Sequence, residues 1–431
     1  MSATLTRERL APARRVYTAA QRWAHAGWNI NDPAVRALIE QGRPPIAGGA
    51  QGLNPAVFMN NAPPPGTYTI DQNGFDQQTE RNDVPQPSVA WPGLGARIDQ
   101  RIINVGVLAK IRLNCQLSLV VSGSGAVTSL YPFPYNLLKE VVINANGGSA
   151  IIDCQGLDLR ARKSVMTGNS ADTALLNVAP GMDTGATISA AAPYRPIGKQ
   201  FPGVIANGTY PINLQVDIAI AHSMRSLIGA LFAQSDQTYL NWVVNTAVNS
   251  DVWTIAAGGA VALTGSIYPE LTFFSIPSFN SQNGRLVVLP AGVNWLHEFI
   301  SSDFNFANTG DVIVPLTRTN GQLRRIFSYI DNGGAAQIAP TALNNIRWNY
   351  GGNQTPRNYF PAMLIQENQG AYNGAIDPGY MILDFERDNV NRDVVYPRGL
   401  AELDEIYNVP SSVTVNANAH VHTVLETLTT V

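Results

Sequence analysis

The sequence predicts an all-β protein made of two tandem β-sandwiches that follow a helical and extended N-terminal arm. Three observations support this prediction. Short apolar runs are separated by turn residues, and the chain contains 37 glycines and 28 prolines. Its 431 residues exceed the size at which a single core stops growing, so two packed units are expected. Two segments of the first half also have similar counterparts in the second half.

The composition indicates a protein whose surface is covered by neighbours. Hydrophobic residues make up 45% of the chain and charged residues only 14%, which is low for a freely dispersed enzyme. The net charge of -3 and the pI near 6.0 argue against a general nucleic-acid coat. We therefore expect no direct, sequence-specific nucleic-acid binding. Neither a signal peptide nor a membrane span is recognisable, which predicts synthesis in the cytoplasm.

Residues 1–87 form the predicted arm. A helix beginning near Ala13 would be short, basic and amphipathic. Cationic and aromatic side chains of this kind favour an anionic membrane surface or a partner subunit. The candidate contact residues are Arg14, Arg15, Arg22, Trp23 and Trp28. The alternative is a helix that packs on its own domain and leaves its arginines in water.

The rest of the arm contains a second predicted helix and an extended segment. Asp32 is a suitable N-cap, Pro33 fits the first helical position, and Gly42 ends the apolar stripe. From residue 43 to 87 the chain is rich in proline, glycine, asparagine and glutamine. This composition predicts an extended segment with little core of its own.

The first sandwich is predicted over residues 88–279. Residues 107–121 alternate apolar and polar side chains, as in a strand with one wet face. Residues 131–159 then give two short strands around an Asn-Gly-Gly turn. Residues 160–205 begin like a helix and continue as a long insertion that projects from the sandwich. Strands resume in 212–244, where a short helical turn separates two of them; residues 266–277 add a closing strand.

The second sandwich is predicted over residues 280–431, because the first pattern recurs there. Residues 321–334 resemble 136–148 in a leucine, two polar or basic residues, a β-branched residue and a following Asn-Gly-Gly turn. Residues 397–419 resemble 224–245, with Arg398 and Leu400 at the positions of Arg225 and Leu227. The spacing between these copies is far longer than a solenoid repeat, so each copy is predicted to be a domain. The strand, turn, strand segment then marks where the chain passes from one sheet to the other.

This duplication, with Leu137-Leu138-Lys139-Glu140-Val141-Val142 and Leu323-Arg324-Arg325-Ile326 in its strands, resembles the double jelly-roll major capsid proteins of tailless, membrane-containing double-stranded DNA viruses. The resemblance covers residues 88–431 and is greatest to tectivirus-like phages. It implies two eight-stranded jelly rolls and a homotrimer that forms a pseudo-hexameric tile of an icosahedral shell. It also implies a location in the virion capsid, contact with an internal membrane through the N-terminal helix, and minor capsid and vertex proteins as partners. The long arm departs from the family pattern, so it could instead tie neighbouring trimers together.

Candidate metal sites and reactive thiols are few. Cys115 and Cys154 are expected to be buried free thiols, because two cysteines do not make a disulfide scaffold in a chain of this length. His420 and His422 share one face of a strand and could begin a metal site, but a surface pair is the preferred interpretation. Asp331 opens an Asp-Asn-Gly-Gly turn that lacks the ligand spacing of a calcium loop. We therefore predict no cofactor and no metal site.

Other residues suggest alternatives to a structural protein. Asp384, Glu386, Asp388 and Asp393 lie beside arginines and could serve a glycosidase, although ion-paired loops explain them better. A carbohydrate-binding sandwich, such as a virion spike or a lectin, is the main alternative. Its sugar-stacking residues would be Trp242, Trp253, Trp295 and Trp348. No phosphate loop, nucleophile elbow or metalloprotease helix occurs, so a non-enzymatic structural protein with no catalytic residues is expected.

Overall fold

The computed structural model describes residues 69–71, 75, 79–103, 105–130, 133–145, 149–167, 204–233, 239–276, 285–287, 291–316, 321–333, 337–350, 354–372, 379–386, 395 and 403–430. Contacts divide the chain into two units: residues 1–80 with 276–290, and residues 81–275 with 291–431. Both predicted arm helices, the five candidate contact residues from Arg14 to Trp28 and most of the predicted 160–205 insertion lie outside the described residues.

The secondary-structure elements are numbered along the chain. Up to residue 287 the strands are β1 (Thr69–Asp71), β2 (Arg81–Pro85), β3 (Val89–Ala90), β4 (Arg97–Arg101), β5 (Val107–Gly123), β6 (Val127–Ser129), β7 (Leu138–Ala145), β8 (Ser149–Cys154), β9 (Val204–Ile205), β10 (Gly208–Ala219), β11 (Leu231–Phe232), β12 (Leu240–Thr246), β13 (Trp253–Ile255), β14 (Gly259–Phe274) and β15 (Arg285–Val287). From residue 295 they are β16 (Trp295–Asn305), β17 (Gly310–Pro315), β18 (Gln322–Asp331), β19 (Gln337–Ile338), β20 (Asn345–Tyr350), β21 (Gln354–Tyr359), β22 (Met381–Asp384), β23 (Leu403–Val409) and β24 (His420–Thr430). The α-helices of the described residues are α1 (Gly156–Thr167), α2 (Asn249–Val252) and α3 (Pro361–Ala371).

In the smaller unit, β1 and β15 pair in parallel. The larger unit contains the two sandwiches. Strands of residues 81–274 are arranged in the orders β10-β5-β14-β2 and β8-β7-β12-β4. Four strands on each side, connected in this order, are the arrangement of an eight-stranded jelly roll. We call this set of strands roll 1.

Roll 2 repeats the same arrangement. Strands of residues 295–430 are arranged in the orders β16-β24-β18-β22 and β17-β23-β20-β21. Each strand of roll 2 therefore has an equivalent in roll 1 at the same place in the sheet order. The equivalent strands include β2 and β16, β5 and β18, β8 and β21, β10 and β22, β12 and β23, and β14 and β24. The predicted pair of tandem eight-stranded jelly rolls is confirmed.

A continuous sheet joins the two rolls. β16 of roll 2 pairs in parallel with β8 of roll 1, where Phe299 faces Ile152 and Ile300 faces Asp153. With β19 and β22, this pairing produces one sheet of nine strands. Two hydrophobic cores flank the join: one lies inside roll 2, and the other fills roll 1 and includes Phe299, Phe327 and Val424 of roll 2. The β16-β24-β18-β22 sheet is therefore packed on both faces.

The sequence prediction of β5 is confirmed. Its buried and partly exposed residues alternate along most of the strand, with Ile111, Leu113 and Cys115 in the core. The predicted hairpin is also present, since β7 and β8 pair antiparallel. The boundaries at residues 88 and 280 remain predictions, although β2 shows that the strands of roll 1 begin a few residues before 88.

One of the two proposed internal similarities is wrong. It compared the segment of β7 with that of β18, but the equivalent of β18 is β5. An Asn-Gly-Gly turn after an apolar strand is a local feature that non-equivalent strands can share. The second similarity leads into β12 and β23, which are equivalent, although Arg398 and Leu400 lie outside the described residues. Residues 224–229 form turns and no helix. They connect β10 to β11, which both pair with β5, so the chain changes sheet only after β11, on the way to β12.

Candidate functional site

The candidate site is a cluster of buried charged residues between the two rolls. α1 of roll 1 supplies one side of it. Asp158 fixes the start of this helix, because its carboxylate accepts a hydrogen bond from the Gln155 amide at 2.7 Å. The helix is buried on nearly every side, including its charged residues Asp158 and Arg162. A helix buried all round needs partners for such groups, and both find theirs on β24 of roll 2.

Glu426 lies at the centre of the cluster and is fully buried. The Nε and Nη2 atoms of Arg162 both lie 2.8 Å from its Oε1 atom. On the other side, Nη1 of Arg325 donates to its Oε2 atom at 2.9 Å. Burial opposes the charge of Glu426, but the two guanidinium groups hold its pKa well below the usual range. Glu426 is therefore a carboxylate that accepts hydrogen bonds from both rolls.

Arg325 connects Glu426 to a second pair of acids. Its Nε atom lies 3.2 Å from Oδ2 of Asp384, and its Nη2 atom lies 3.0 Å from Oε2 of Glu386. Arg324 also pairs with Glu386. Burial alone would raise the pKa of Glu386, yet His222 and the arginines lower it. Two of the acids considered for a glycosidase, Asp384 and Glu386, are thus ion-pair partners of arginine, which does not suit a general acid.

The loop of roll 1 between β10 and β11 contacts His297 and contributes His222 to the cluster. Gly229 of this loop has φ of +81°, and a Cβ atom there would lie 2.4 Å from the Cβ of His297 on β16. Glycine is required by both the backbone conformation and the close approach. The loop also brings Nδ1 of His222 to 3.2 Å from Oε1 of Glu426, while its Nε2 lies 2.9 Å from Oε2 of Glu386.

The pKa values of the two histidines are shifted in opposite directions. Burial disfavours a charge on His222, but its hydrogen bonds to Glu386 and Glu426 raise its pKa. Burial and the nearby Arg162 lower the pKa of His297 to about 4. His297 is therefore neutral: Nδ1 lies 3.0 Å from the Ile220 carbonyl, and Nε2 lies 3.3 Å from Nη2 of Arg162.

His222, His297 and Glu426 are close enough together to be considered as metal ligands. The guanidinium of Arg162 contacts both the Glu426 carboxylate and Nε2 of His297. A cation bound by the three residues would have to displace this side chain, and it would also lie near Arg325. The arginines already supply the positive charge, so the cluster is better suited to holding the rolls together than to binding a metal.

A second polar group, centred on His422, lies further along β24. Nε2 of His422 lies 3.0 Å from Oδ2 of Asp158 on α1, and Nδ1 lies 2.6 Å from Oδ1 of Asp303 on β16. The hydroxyl of Tyr380 donates to Asp158 at 2.6 Å. Burial opposes protonation, but the charges and hydrogen bonds of Asp158 and Asp303 raise the pKa of His422 to about 10. His422 is therefore a buried cation, and its interpretation as a surface residue is wrong; His420 is partly exposed.

The other candidates also have structural roles. Asp331 accepts a hydrogen bond from the Gly333 amide at 2.7 Å, as in an ordinary Asx turn. Trp242, Trp253 and Trp348 are buried, so three of the four proposed sugar-stacking residues cannot reach a ligand. Asp388 and Asp393 lie outside the described residues.

Both cysteines are buried and free, as expected. Burial raises the pKa of Cys115 to about 12. It also raises that of Cys154 well above the ordinary value. In the described part of the chain, no helix is long and apolar enough to cross a bilayer.

A duplicated ion-pair motif was missed in the sequence. In roll 2, Arg325 of β18 faces Glu426 of β24 and Asp384 of β22. In roll 1, Arg112 of β5 faces Glu270 of β14 and Asp217 of β10. Nε of Arg112 lies 2.7 Å from Asp217, and Nη1 lies 3.4 Å from Glu270. An arginine in the middle of a strand, in β5 and again in β18, was the available signal.

Comparison with known proteins identifies the fold. The crystal structure of the major capsid protein (MCP) of STIV matches with a TM-score of 0.56 at 17% identity, covering 81% of this chain and 97% of that chain. The atomic structure of Sulfolobus Turreted Icosahedral Virus gives a TM-score of 0.55 at 18% identity, covering 82% and 91%. A quasi-atomic model of the PBCV-1 virus capsid gives 0.50 at 10% identity, covering 81% and 93%. No protein-family model and no curated protein matches the chain. The likeness to these structures shows the double jelly-roll fold that was expected from the sequence.

Proposed function

We propose that the chain is a structural major capsid protein whose homotrimers tile an icosahedral shell as pseudo-hexameric capsomers. The observation that carries the proposal is the joining of two equivalent rolls into one body by the β8–β16 strand pair. Each chain then contributes two similar blocks at a fixed angle, so three chains can form a ring of six. The structural likeness to viral capsid proteins supports the same role.

The buried charge cluster fits this role. Burying ion pairs costs desolvation and gives little net stability, but it can specify a single geometry. Here, Arg162 and His222 of roll 1 meet Glu426 of roll 2. A capsomer needs this angle to be the same in every copy, because errors would prevent closure of the ring. The cluster thus fixes the shape of the tile and has no catalytic task in this proposal.

Size measurement and electron microscopy test the central claim. The full chain, expressed alone, should elute as a species of three chains in size-exclusion chromatography with light scattering. Negative-stain images should show particles with a pseudo-hexagonal outline, and co-expression with minor capsid, vertex and membrane partners should give closed shells. A stable monomer in all conditions would contradict the proposal.

The proposal extends to the virion and its internal membrane. Location in the capsid, partnership with minor capsid and vertex proteins, and lipid contact by the arm follow from the resemblance and from the basic segment around Trp23 and Trp28. Sedimentation with vesicles of phosphatidylglycerol or of phosphatidylcholine tests lipid contact. The chain should bind only the anionic vesicles, and replacing Arg14, Arg15 and Arg22 by glutamate should abolish that binding. If these replacements instead impair assembly without lipid, the arm ties trimers together.

A carbohydrate-binding protein remains the second candidate, since its sandwich would also be all-β. Trp295 is the only one of the four proposed stacking residues that is not buried among the described residues. Glycan-array binding by a monomer, lost in Trp295→Ala, would favour this alternative over the capsid role.

A further inference from the structure

The two rolls carry helices at equivalent places in the chain. α1 lies between β8 and β10 of roll 1, and α3 lies between β21 and β22 of roll 2, which are the equivalent strands. α1 is buried between the rolls. α3 packs on its own roll through Pro361, Leu364 and Asn368 but exposes other apolar side chains. Phe360 is 69% exposed and Met363 is 60% exposed.

Within the chain, α1 shows what such a helix covers. It lies against the outer face of the β16-β24-β18-β22 sheet, where Asp158 contacts His422 and Arg162 contacts Glu426. Arg162 also lies over the ring of Phe299 at 5.7 Å. Between His422 and Glu426, the side chain of Val424 on the same face of β24 is fully buried.

Roll 1 has an equivalent sheet whose outer face has no helix from roll 2 on it in the described residues. The duplicated ion-pair motif aligns the two sheets, since Glu270 takes the place of Glu426. Tyr268 lies two residues before Glu270, as Val424 lies two residues before Glu426, so Tyr268 is the equivalent of Val424. Val424 is fully buried under the junction, but Tyr268 is 42% exposed. The part of this face around Tyr268 is thus exposed in roll 1, although Lys163 of α1 already pairs with Asp217 at 3.4 Å further along it.

We propose that α3 of one copy packs on the outer face of the β10-β5-β14-β2 sheet of a second copy, with Met363 and Phe360 against Tyr268. This inference rests on the proposed capsid function, because it names the surfaces that hold the capsomer together. The contact repeats, between chains, the packing of α1 on roll 2 within the chain. It is heterologous, since one copy offers the helix and the other the sheet, and such contacts form closed rings.

The chemistry of the covered face suits an apolar helix end. Charged groups beside Tyr268 already have partners, since Arg112 pairs with Asp217 and Glu270. The amides next to it are also engaged, because Gln215 donates to Asn114 at 3.0 Å. Covering Tyr268 therefore leaves no buried charge without a partner. A methionine against an aromatic ring adds a favourable sulfur contact.

Disulfide trapping tests this contact. Cys115 and Cys154 are buried thiols, so introduced cysteines provide the reactive groups. The double variant Met363→Cys with Tyr268→Cys, mildly oxidised as the full chain, should give covalent dimers and trimers on a non-reducing gel. The matched control replaces Tyr268→Cys by Ala260→Cys, an exposed residue of the same strand on the same face. Eight residues of strand separate these positions by roughly 26 Å, so the control should give no cross-linked species.

The outcomes distinguish the inference from the function on which it rests. Three-chain species without cross-linking of the Met363 and Tyr268 variant would overturn the contact and leave the capsid proposal standing. A disulfide formed inside one chain, with no gain in mass, would also overturn it. A chain that stays monomeric would overturn both.

A second pair of variants tests the energy of the contact. Met363→Glu places a charge on the proposed interface, so the midpoint concentration for association should rise at least tenfold. Gln369→Glu adds the same charge at another exposed position of α3 and should leave association unchanged. Equal circular dichroism spectra and melting temperatures would show that both variants fold. Equal association of the two variants would contradict the inference.

Discussion

The outer faces of two equivalent sheets differ in chemistry although their strand order is the same. On roll 2, the residues beside the ion-pair motif are Phe327, Val424 and Ile382, all fully buried. On roll 1, the aligned positions hold Asn114, Tyr268 and Gln215. The first face is covered by α1 of the same chain, whereas the second is the one that we propose meets another copy. The ion pairs of Arg325 and Arg112 occur on both faces and identify equivalent positions of the two sheets. The residues beside them are apolar on roll 2 and mostly polar on roll 1, so the two faces differ in how strongly they favour burial.

The largest expected effect is the difference in stability lost when the acid is removed from each copy of the ion-pair motif. Glu426→Ala leaves Arg162, Arg325 and His222 buried without their common acceptor, and should lower the free energy of unfolding by about 3–5 kcal/mol. Glu270→Ala removes the equivalent acid from a partly exposed site and should cost less than about 1 kcal/mol. Urea unfolding of both variants measures the difference. Equal losses would mean that the two faces are not distinct.

The next effect concerns pH and is confined to the buried face. Because the folded pKa of His422 is raised to about 10, its stabilisation is complete below its ordinary pKa of 6.5 and is lost as pH rises through 10. His422→Gln should remove this dependence, so its deficit relative to the parent chain should shrink by about 4 kcal/mol between pH 6 and pH 10. Unfolding titrations at both pH values check this.

His420→Gln is the control for that experiment. His420 is partly exposed and lies two residues away on the same strand. The His420→Gln variant keeps His422 with Asp158 and Asp303, so it should still lose stability as the pH rises through 10. A deficit of His422→Gln that stays constant with pH would show that His422 is not a buried cation.

A smaller effect should follow from adding a methyl group where the roll 1 loop contacts β16. Gly229→Ala combines a positive φ with a Cβ 2.4 Å from that of His297, and should cost about 2 kcal/mol or more. Gly310→Ala also has a positive φ, but its Cβ meets open space, so it should cost about 1 kcal/mol. Thermal unfolding compares the two. Equal costs would show that the loop does not press on roll 2.

The smallest effect concerns the interior of roll 2, where β23 of one sheet faces β18 of the other. Glu405 is fully buried near Ser328, and burial raises its pKa to about 7. Stability should therefore fall as pH rises from its ordinary pKa near 4.5 through 7, because the unfolded chain releases this proton first. Glu405→Gln should raise stability at pH 8 by about 1 kcal/mol and leave it nearly unchanged at pH 4. Urea unfolding at both pH values provides the measurement.

The sequence predicted single strands better than their surroundings. β5 was identified because its alternation records one dry and one wet face, and a strand carries that information itself. β24 has His422 and Glu426 at alternate positions, which on its own predicts a wet face. Their burial depends on Asp158 and Arg162, which are 264 residues away along the chain. A local pattern contains no record of such a partner.

The duplication illustrates the same limit. It was recognised, but one of its two alignments compared β7 with β18, because Asn-Gly-Gly turns are easier to see than a single arginine in a strand. The reliable signal was the pair Arg112 and Arg325, each between two acids in space. Those acids come from strands that are far apart in sequence, so only the sheet order brings the motif together.

The parallel pairing of β8 with β16 has a mechanical consequence. Hydrogen bonds within a sheet resist sliding of one strand past another when several must break together. A load applied to roll 1 would therefore pass into roll 2 through backbone hydrogen bonds as well as through side-chain packing. Bending between the rolls would require the ladder at Phe299 and Ile300 to open. In the shell that we propose, pressure from the contents would therefore deform the contacts between molecules before it bends a single molecule between its rolls.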